Sequence, residues 1–223
     1  MTAPGLLGCN LPPITYSVAF VHRTANAAVD AFVSWMNPIE LRHGRCLEQR
    51  AVHGTIETLL RTLLPVVAPL PSGFLFLPAR SGWTAVLDNF RAGMDAATVA
   101  SVLSSRMGCA AVRATVMGVS GCASEPCGVV WEVWGSAEWD GRRRSVSAVR
   151  DGARWVFDAV GEPFAFEEIE RYSRRNVRER LNAAMVGRYL EAMGIRAFER
   201  EHFAPEGSGI LVKRHRLSLC LEP

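Results

Sequence analysis

The stretch "RSVSAVRDGARWVFDA", residues 144–159, constrains the fold more than any other part of the chain. β-prone and apolar residues alternate with polar ones on both sides of Asp151-Gly152, a dipeptide suited to the left-handed angles of a tight hairpin turn. Two strands joined by two residues can only pair antiparallel. A second hairpin is predicted in "GFLFLPARSGWTAVLDNF", where the apolar run "FLFL" and the strand "WTAVL" flank the turn "ARSG". Further strands are expected at Ile14–His22, near Arg45–Val52, at Ala110–Met117, at Val129–Trp134 and in the tail "GILVKRHRLSLCL".

Helical spacing and capping residues interrupt these strands. Thr24 or Asn26 caps a helix running to about Met36 and ended by Pro38, and Thr55 caps a second one carrying Ile56, Leu59, Leu60, Leu63 and Leu64. Asp95 and Gly108 bracket "AATVASVLSSRM" as cap residues. Phe166–Tyr172 reads as a short helix. Asn176–Met193 reads as a longer one, with Val177, Leu181, Ala184, Met185 and Tyr189 inward. The fold class is α+β: a mostly antiparallel sheet with flanking helices. The chain is read as a single domain over residues 1–223, any sub-boundary falling near residues 66–73.

Composition narrows the function by exclusion. With 223 residues, 49% apolar and 21% charged, the chain is long enough for a substantial core. Its net charge of +3 lacks the basic excess of a dedicated nucleic-acid binder. The cluster Arg142–Arg144 beside Trp139 is its nearest approach to one. Along Glu167–Arg180, arginines and glutamates three to four apart form the pattern of a solvated, ion-paired face. The most apolar run, 59–77, is broken by Arg61 and several prolines, so no membrane partner is expected. The first residues lack a basic start and a long apolar segment, and the expected location is the cytoplasm. The six cysteines are scattered and read as buried or free thiols; Cys122 and Cys127 could bridge in an oxidising compartment.

Motifs that carry chemistry are missing. His43, Cys46 and His53 lack the second ligand pair a zinc site needs. Ser120 is in a loop between strands, not at a nucleophile elbow. "GVSGCASEPCG" has no helix behind it to cradle a phosphate. Asp88, Glu132, Glu138, Asp140, Glu167 and Glu168 are acids without an assignable catalytic partner. No catalytic residue, cofactor or metal is therefore assigned. Aromatic residues on strands remain. Trp131 and Trp134, three apart, face opposite sides of their strand, so one must be covered by a helix, a partner or a ligand. The candidate contact residues are Arg80, Trp83, Trp131, Trp134, Trp139 and Arg143.

Two elements carry a resemblance. Gly82, Trp83, Thr84, Asp88 and Asn89 form one; Asp151, Gly152, Arg154, Trp155, Phe157, Gly161, Pro163, Phe166 and Glu167 form the other. Over roughly Gly73–Phe198 the chain resembles an uncharacterised group of bacterial, largely actinobacterial, proteins, which brings no catalytic residue with it. A compact α+β protein without catalytic motifs is also similar in general character to immunity proteins, which bind and block a toxin. The resulting expectation is a non-catalytic protein-binding protein whose partner is a toxin domain or a second copy of itself. The rival is a hydrolase or nuclease with a site assembled from separated groups such as Asp88, Glu132 or a histidine.

Overall fold

The structure is a computed structural model that describes residues 5–118, 127–135 and 141–217. Its centre is one nine-stranded sheet in which every neighbouring pair is antiparallel. In chain order the strands are β1 (Ser17–Val21), β2 (Arg45–His53), β3 (Gly73–Pro78), β4 (Thr84–Asp88), β5 (Ala111–Met117), β6 (Gly128–Trp134), β7 (Arg143–Asp151), β8 (Arg154–Val160) and β9 (Ser208–Arg216). In space they run β2-β9-β3-β4-β1-β5-β6-β7-β8. The α+β expectation holds.

Helical crossovers decide what covers the sheet. Helix α1 (Ala25–Arg42) links β1 to β2, and α3 (Ala96–Met107) links β4 to β5. Both lie on one face, where Ala28, Val29, Phe32, Val99, Ala100 and Leu103 pack on Ala19, Val21, Phe74, Phe76, Val86 and Val212. Helix α2 (Ile56–Arg61) links β2 to β3 across the opposite face. That face is also covered by the N-terminal segment around Leu6 and Leu7, by α4 (Val177–Arg180) and by α5 (Ala183–Ala192). We call these the α1/α3 face and the α5 face. Among the described residues no helix intervenes between strands β5 to β8.

Local chemistry sets most of these boundaries. The Thr24, Thr55 and Asp95 side chains accept from the backbone N–H three residues on, and Gly108 ends α3 in the left-handed region at φ 56°. Other expectations need correction. The first strand begins at Ser17, because Thr15 N–H and Tyr16 N–H are already used in turns to Leu11 O and Pro13 O. Helix α1 continues through Pro38 to Arg42, since Glu40 beyond it is buried and held by Arg45 Nε at 2.6 Å and Arg214 Nη2 at 2.7 Å. The β7–β8 turn is centred on Gly152 and Ala153, because Asp151 still pairs with Arg154; Gly152 supplies the positive φ of 57°.

The C-terminal helical segment departs furthest. Phe166–Tyr172 yields only a 3-10 turn at Ile169–Arg171. The continuous helix over 176–193 is broken: Leu181 adopts extended angles and sinks into the core, and Asn182 caps a new helix. Met185 and Tyr189 are buried as expected, but Val177 is half-buried and Ala184 is exposed. Strand β9 is inserted between β2 and β3, a placement no local pattern signals; Leu219 and Leu221 lie outside the described residues. Cys9 and Cys109 are buried outside any disulfide and Cys127 is likewise unbridged, which rules out the Cys122–Cys127 pairing; Cys122 itself lies outside the described residues. Cys46 is disulfide-bonded, which corrects the reading of unbridged thiols; its partner lies outside the described residues. Among those residues no helix is long and apolar enough to cross a membrane.

Candidate functional site

The two faces of the sheet are covered unequally, and the chain order explains why. Helices α1 and α3 return across the middle strands and pack over β1, β3, β5 and β9. Among the described residues, the connections between β5, β6, β7 and β8 supply no helix to extend that layer. Side chains there grow more exposed outward: Glu132 and Trp134 on β6 and Ser145, Ser147 and Val149 on β7 are half-buried, while Val156, Asp158 and Val160 on β8 are exposed. Val156 is 45% exposed and Val160 58%, which a strand flanked by a covering layer would not allow.

This open region has a defined chemistry. Trp134 lies opposite Arg143 across the β6–β7 pair, with the guanidinium carbon 5.9 Å from the ring centroid, within cation–π reach. The inner edge of the tryptophan packs against the α1/α3 core. Glu132 accepts from Arg113 Nη1 at 3.0 Å and from Ser145 Oγ at 3.1 Å, so its carboxylate is neutralised and fixed. Glu132, Trp134, Arg143, Ser145 and Val160 line a shallow hollow of about 360 Å³. On the outer strand Ala159 N–H donates to Asp158 Oδ1 at 3.0 Å, which blunts the edge as a template for another strand.

The sequence candidates divide sharply. Trp134 and Arg143 come together, and Trp139 lies outside the described residues, as do Ser120, Glu138 and Asp140. Trp131 is on the other side of β6, fully buried among Phe164, Phe166 and Tyr189. Trp83 is 2% exposed, donates from Nε1 to Met193 O at 3.1 Å, and packs on His22. Both are core residues. Arg80 sits at the tip of the β3–β4 hairpin, donates from Nε to Glu201 O at 3.1 Å, and borders a polar hollow with Ser81, Arg196 and His202. It faces the C-terminal segment, apart from Trp134.

Arg142, Arg143 and Arg144 do not act as one basic patch. Arg142 lies over the Phe164 ring, Arg143 over Trp134, and Arg144 is buried. Arg144 forms a forked ion pair with Glu167, Nη2 to Oε2 at 2.7 Å and Nε to Oε1 at 3.0 Å, while Tyr172 Oη donates to the same carboxylate at 2.7 Å. Tyr189 Oη joins Tyr172 at 3.2 Å and accepts from Glu168 N–H. Burial penalises the ionised phenol and raises the pKa of Tyr172, and its hydrogen bonds to Tyr189 and Glu167 push the same way. This network clamps the 161–172 segment under β7. It was findable: Arg144 shares its strand face with Val146 and Ala148, so a buried arginine, and hence a buried carboxylate, was implied.

The acids of the hydrolase or nuclease reading are not brought together. Asp88 ends β4 and Glu132 is on β6, with β1 and β5 between them. Asp88 is 4% exposed; burial pushes its carboxyl up to about 6, and the hydrogen bond from Phe90 N–H at 2.9 Å only partly offsets this. Among the described residues, no group of three or more His, Cys, Asp or Glu side chains could hold a metal ion.

The residues of the two sequence elements have structural duties. Thr84 Oγ1 donates to Arg23 O, and Asn89 ties Ser72 N–H and Gly73 N–H to Pro65 O. At Gly161 a Cβ would run into the Arg143 carbonyl, and φ is +88°. No family model, curated protein or solved structure matches the chain.

Proposed function

We propose that this is a non-catalytic protein-binding protein that acts by stoichiometric contact, in the manner of a bacterial immunity protein blocking a toxin domain. The contact surface is the open α1/α3 face of β6, β7 and β8. The observation that carries the reading is the unequal covering of one continuous sheet: a tryptophan–arginine pair and two exposed valines stand where a further covering layer would sit. Tryptophan and arginine anchors within a rim of neutralised polar groups are the residue types that dominate protein interfaces. The partner presents an apolar surface to Val156 and Val160 and a carboxylate to Arg143.

The test is co-expression with each protein encoded beside this chain, followed by size-exclusion chromatography and light scattering. A one-to-one complex is expected, weakened about 30-fold or more by Trp134→Ala, the effect of losing a hot-spot residue. Absence of any complex, or a complex indifferent both to Trp134→Ala and to Val160→Glu, overturns the proposal. A homodimer abolished by Val160→Glu would replace the toxin by a second copy on the same face.

A further inference from the structure

The break between α4 and α5 opens a cleft on the α5 face, remote from the proposed contact surface. Its volume is about 280 Å³, close to the lower end of small-molecule pockets at roughly 300 Å³. Met117, Val129, Leu181 and Trp155 make its walls largely apolar, and Arg150 and Arg178 stand beside them. The cleft exists because the helix is interrupted: Leu181 turns inward with extended angles, so α4 stays over β8 while α5 starts afresh at Asn182.

The two arginines border an apolar cleft with their charges unmatched among the described residues. Several guanidinium groups near the sheet are matched to carboxylates: Arg45 and Arg214 with Glu40, Arg113 with Glu132, Arg144 with Glu167, Arg171 and Arg188 with Glu168. Among the described residues neither Arg150 nor Arg178 has an ion-pair partner. Arg150 Nε is occupied by Gly152 O at 3.0 Å, which fixes the arginine stem and leaves its two terminal nitrogens for another acceptor. Arg178 lies over the Trp155 ring at 4.8 Å, which holds its guanidinium at the cleft without neutralising it.

We infer that this cleft binds a small organic carboxylate with an apolar body. The apolar portion packs on Val129, Leu181 and the Trp155 edge, and the carboxylate is received by Arg150 and Arg178. Guanidinium forks match a carboxylate's two oxygens, and such charge-assisted bonds strengthen beside apolar walls. An uncharged apolar ligand would fill the same space but leave both cations unmatched. A strongly hydrated inorganic anion would gain nothing from the walls.

The experiment is displacement of 8-anilinonaphthalene-1-sulfonate from the folded full chain, followed by fluorescence. Saturable one-site binding is expected, with octanoate displacing the dye at least tenfold more effectively than octanol. The Arg150→Gln, Arg178→Gln double variant should lose about tenfold or more in octanoate affinity, the loss of a charge-assisted hydrogen bond, while octanol is unaffected. Arg178 is exposed and Arg150 is half-buried, and neither forms an ion pair among the described residues, so its melting temperature should stay close to that of the parent. Val129→Trp, which fills the cleft, should abolish displacement by both ligands. Equal potency of octanoate and octanol, absence of saturable dye binding, or an unchanged octanoate affinity in the double variant overturns the inference. None of these outcomes depends on the open α1/α3 face, so failure here leaves the protein-contact proposal standing.

Discussion

The two halves of the α1/α3 face are built from the same kind of strand but end differently. Over β1, β3 and β4 the layer is closed by Phe32, Val99 and Leu103, and the side chains beneath are inaccessible. Over β6, β7 and β8 it is not, and exposure climbs to 58% at Val160. Both halves carry valines and aromatics, although the open one interleaves them with Glu132, Ser145, Ser147 and Asp158, and composition alone does not supply a cover. The placement of the crossover helices does: α1 packs on β2, β3 and β9 and α3 on β1, β5 and the near side of β6, and neither extends over β7 and β8. An uncovered sheet half is thus a consequence of where α1 and α3 lie, and a partner can use it without any cost to the core.

The contrast should be visible first in stability. Phe32 sits at the centre of the covered half, its ring 4.7 Å from that of Phe74 and 5.3 Å from that of Phe76. Phe32→Ala removes a fully buried ring and leaves a cavity between α1 and the sheet, so we expect a loss of about 3–5 kcal/mol in denaturant unfolding. A loss below about 1 kcal/mol would mean that α1 is not the closed lid described above.

Two carboxylates sharpen the comparison. Glu132, in the open half, is satisfied by Arg113 and Ser145. Asp88, in the covered half, has Phe90 N–H as its hydrogen-bond donor, with the Asp95 charge raising and the Arg214 charge lowering its pKa of about 6. An unfolded aspartate titrates near ~3.9. Because the folded value is raised, the protonated acid is what the fold prefers: its full contribution is present below about pH 4 and is lost as pH rises through 6. Two pKa units correspond to about 3 kcal/mol. Asp88→Asn keeps an oxygen for Phe90 N–H and removes the buried charge. It should therefore stabilise the protein by about 1–3 kcal/mol at pH 7, with the gain vanishing near pH 4. A gain that persisted at pH 4 would assign it to something other than ionisation.

What the sequence reveals about this architecture follows the range of the interactions involved. The β7–β8 hairpin, the three N-caps and Gly108 are decided by neighbours within a few residues, and all are readable there. The insertion of β9 between β2 and β3 depends on main-chain pairing across more than 150 residues of chain, as in Gln49 with Val212, and leaves no local mark. The break at Leu181 is similar: Val177, Leu181 and Met185 keep helical spacing, yet the core takes Leu181 more deeply than a straight helix over β8 permits. For the candidate site, period-two alternation was enough to place Trp131 and Trp134 on opposite faces. It could not say which face lacked a lid, because that depends on where α1 and α3 lie in space. Trp83 shows the same limit, since its acceptor, Met193 O, is 110 residues away.

The smallest effect is the most discriminating. Val160 lies on the outer strand, opposite Ser145, with more than half its surface in water. In a covered half, replacing such a valine with serine would bury a hydroxyl and lose apolar contact, at a cost of about 1–3 kcal/mol. In the open half both states of Val160 are solvated, so Val160→Ser, alone or with Val156→Ser, should move the unfolding free energy by no more than about 0.5 kcal/mol. The same double variant should weaken the proposed complex, because two apolar contacts would be lost only when the partner is seated. Stability unchanged and binding reduced is the signature of a surface held open for a partner. A destabilisation above about 2 kcal/mol in the isolated chain would show instead that this half of the face is already covered within the molecule itself.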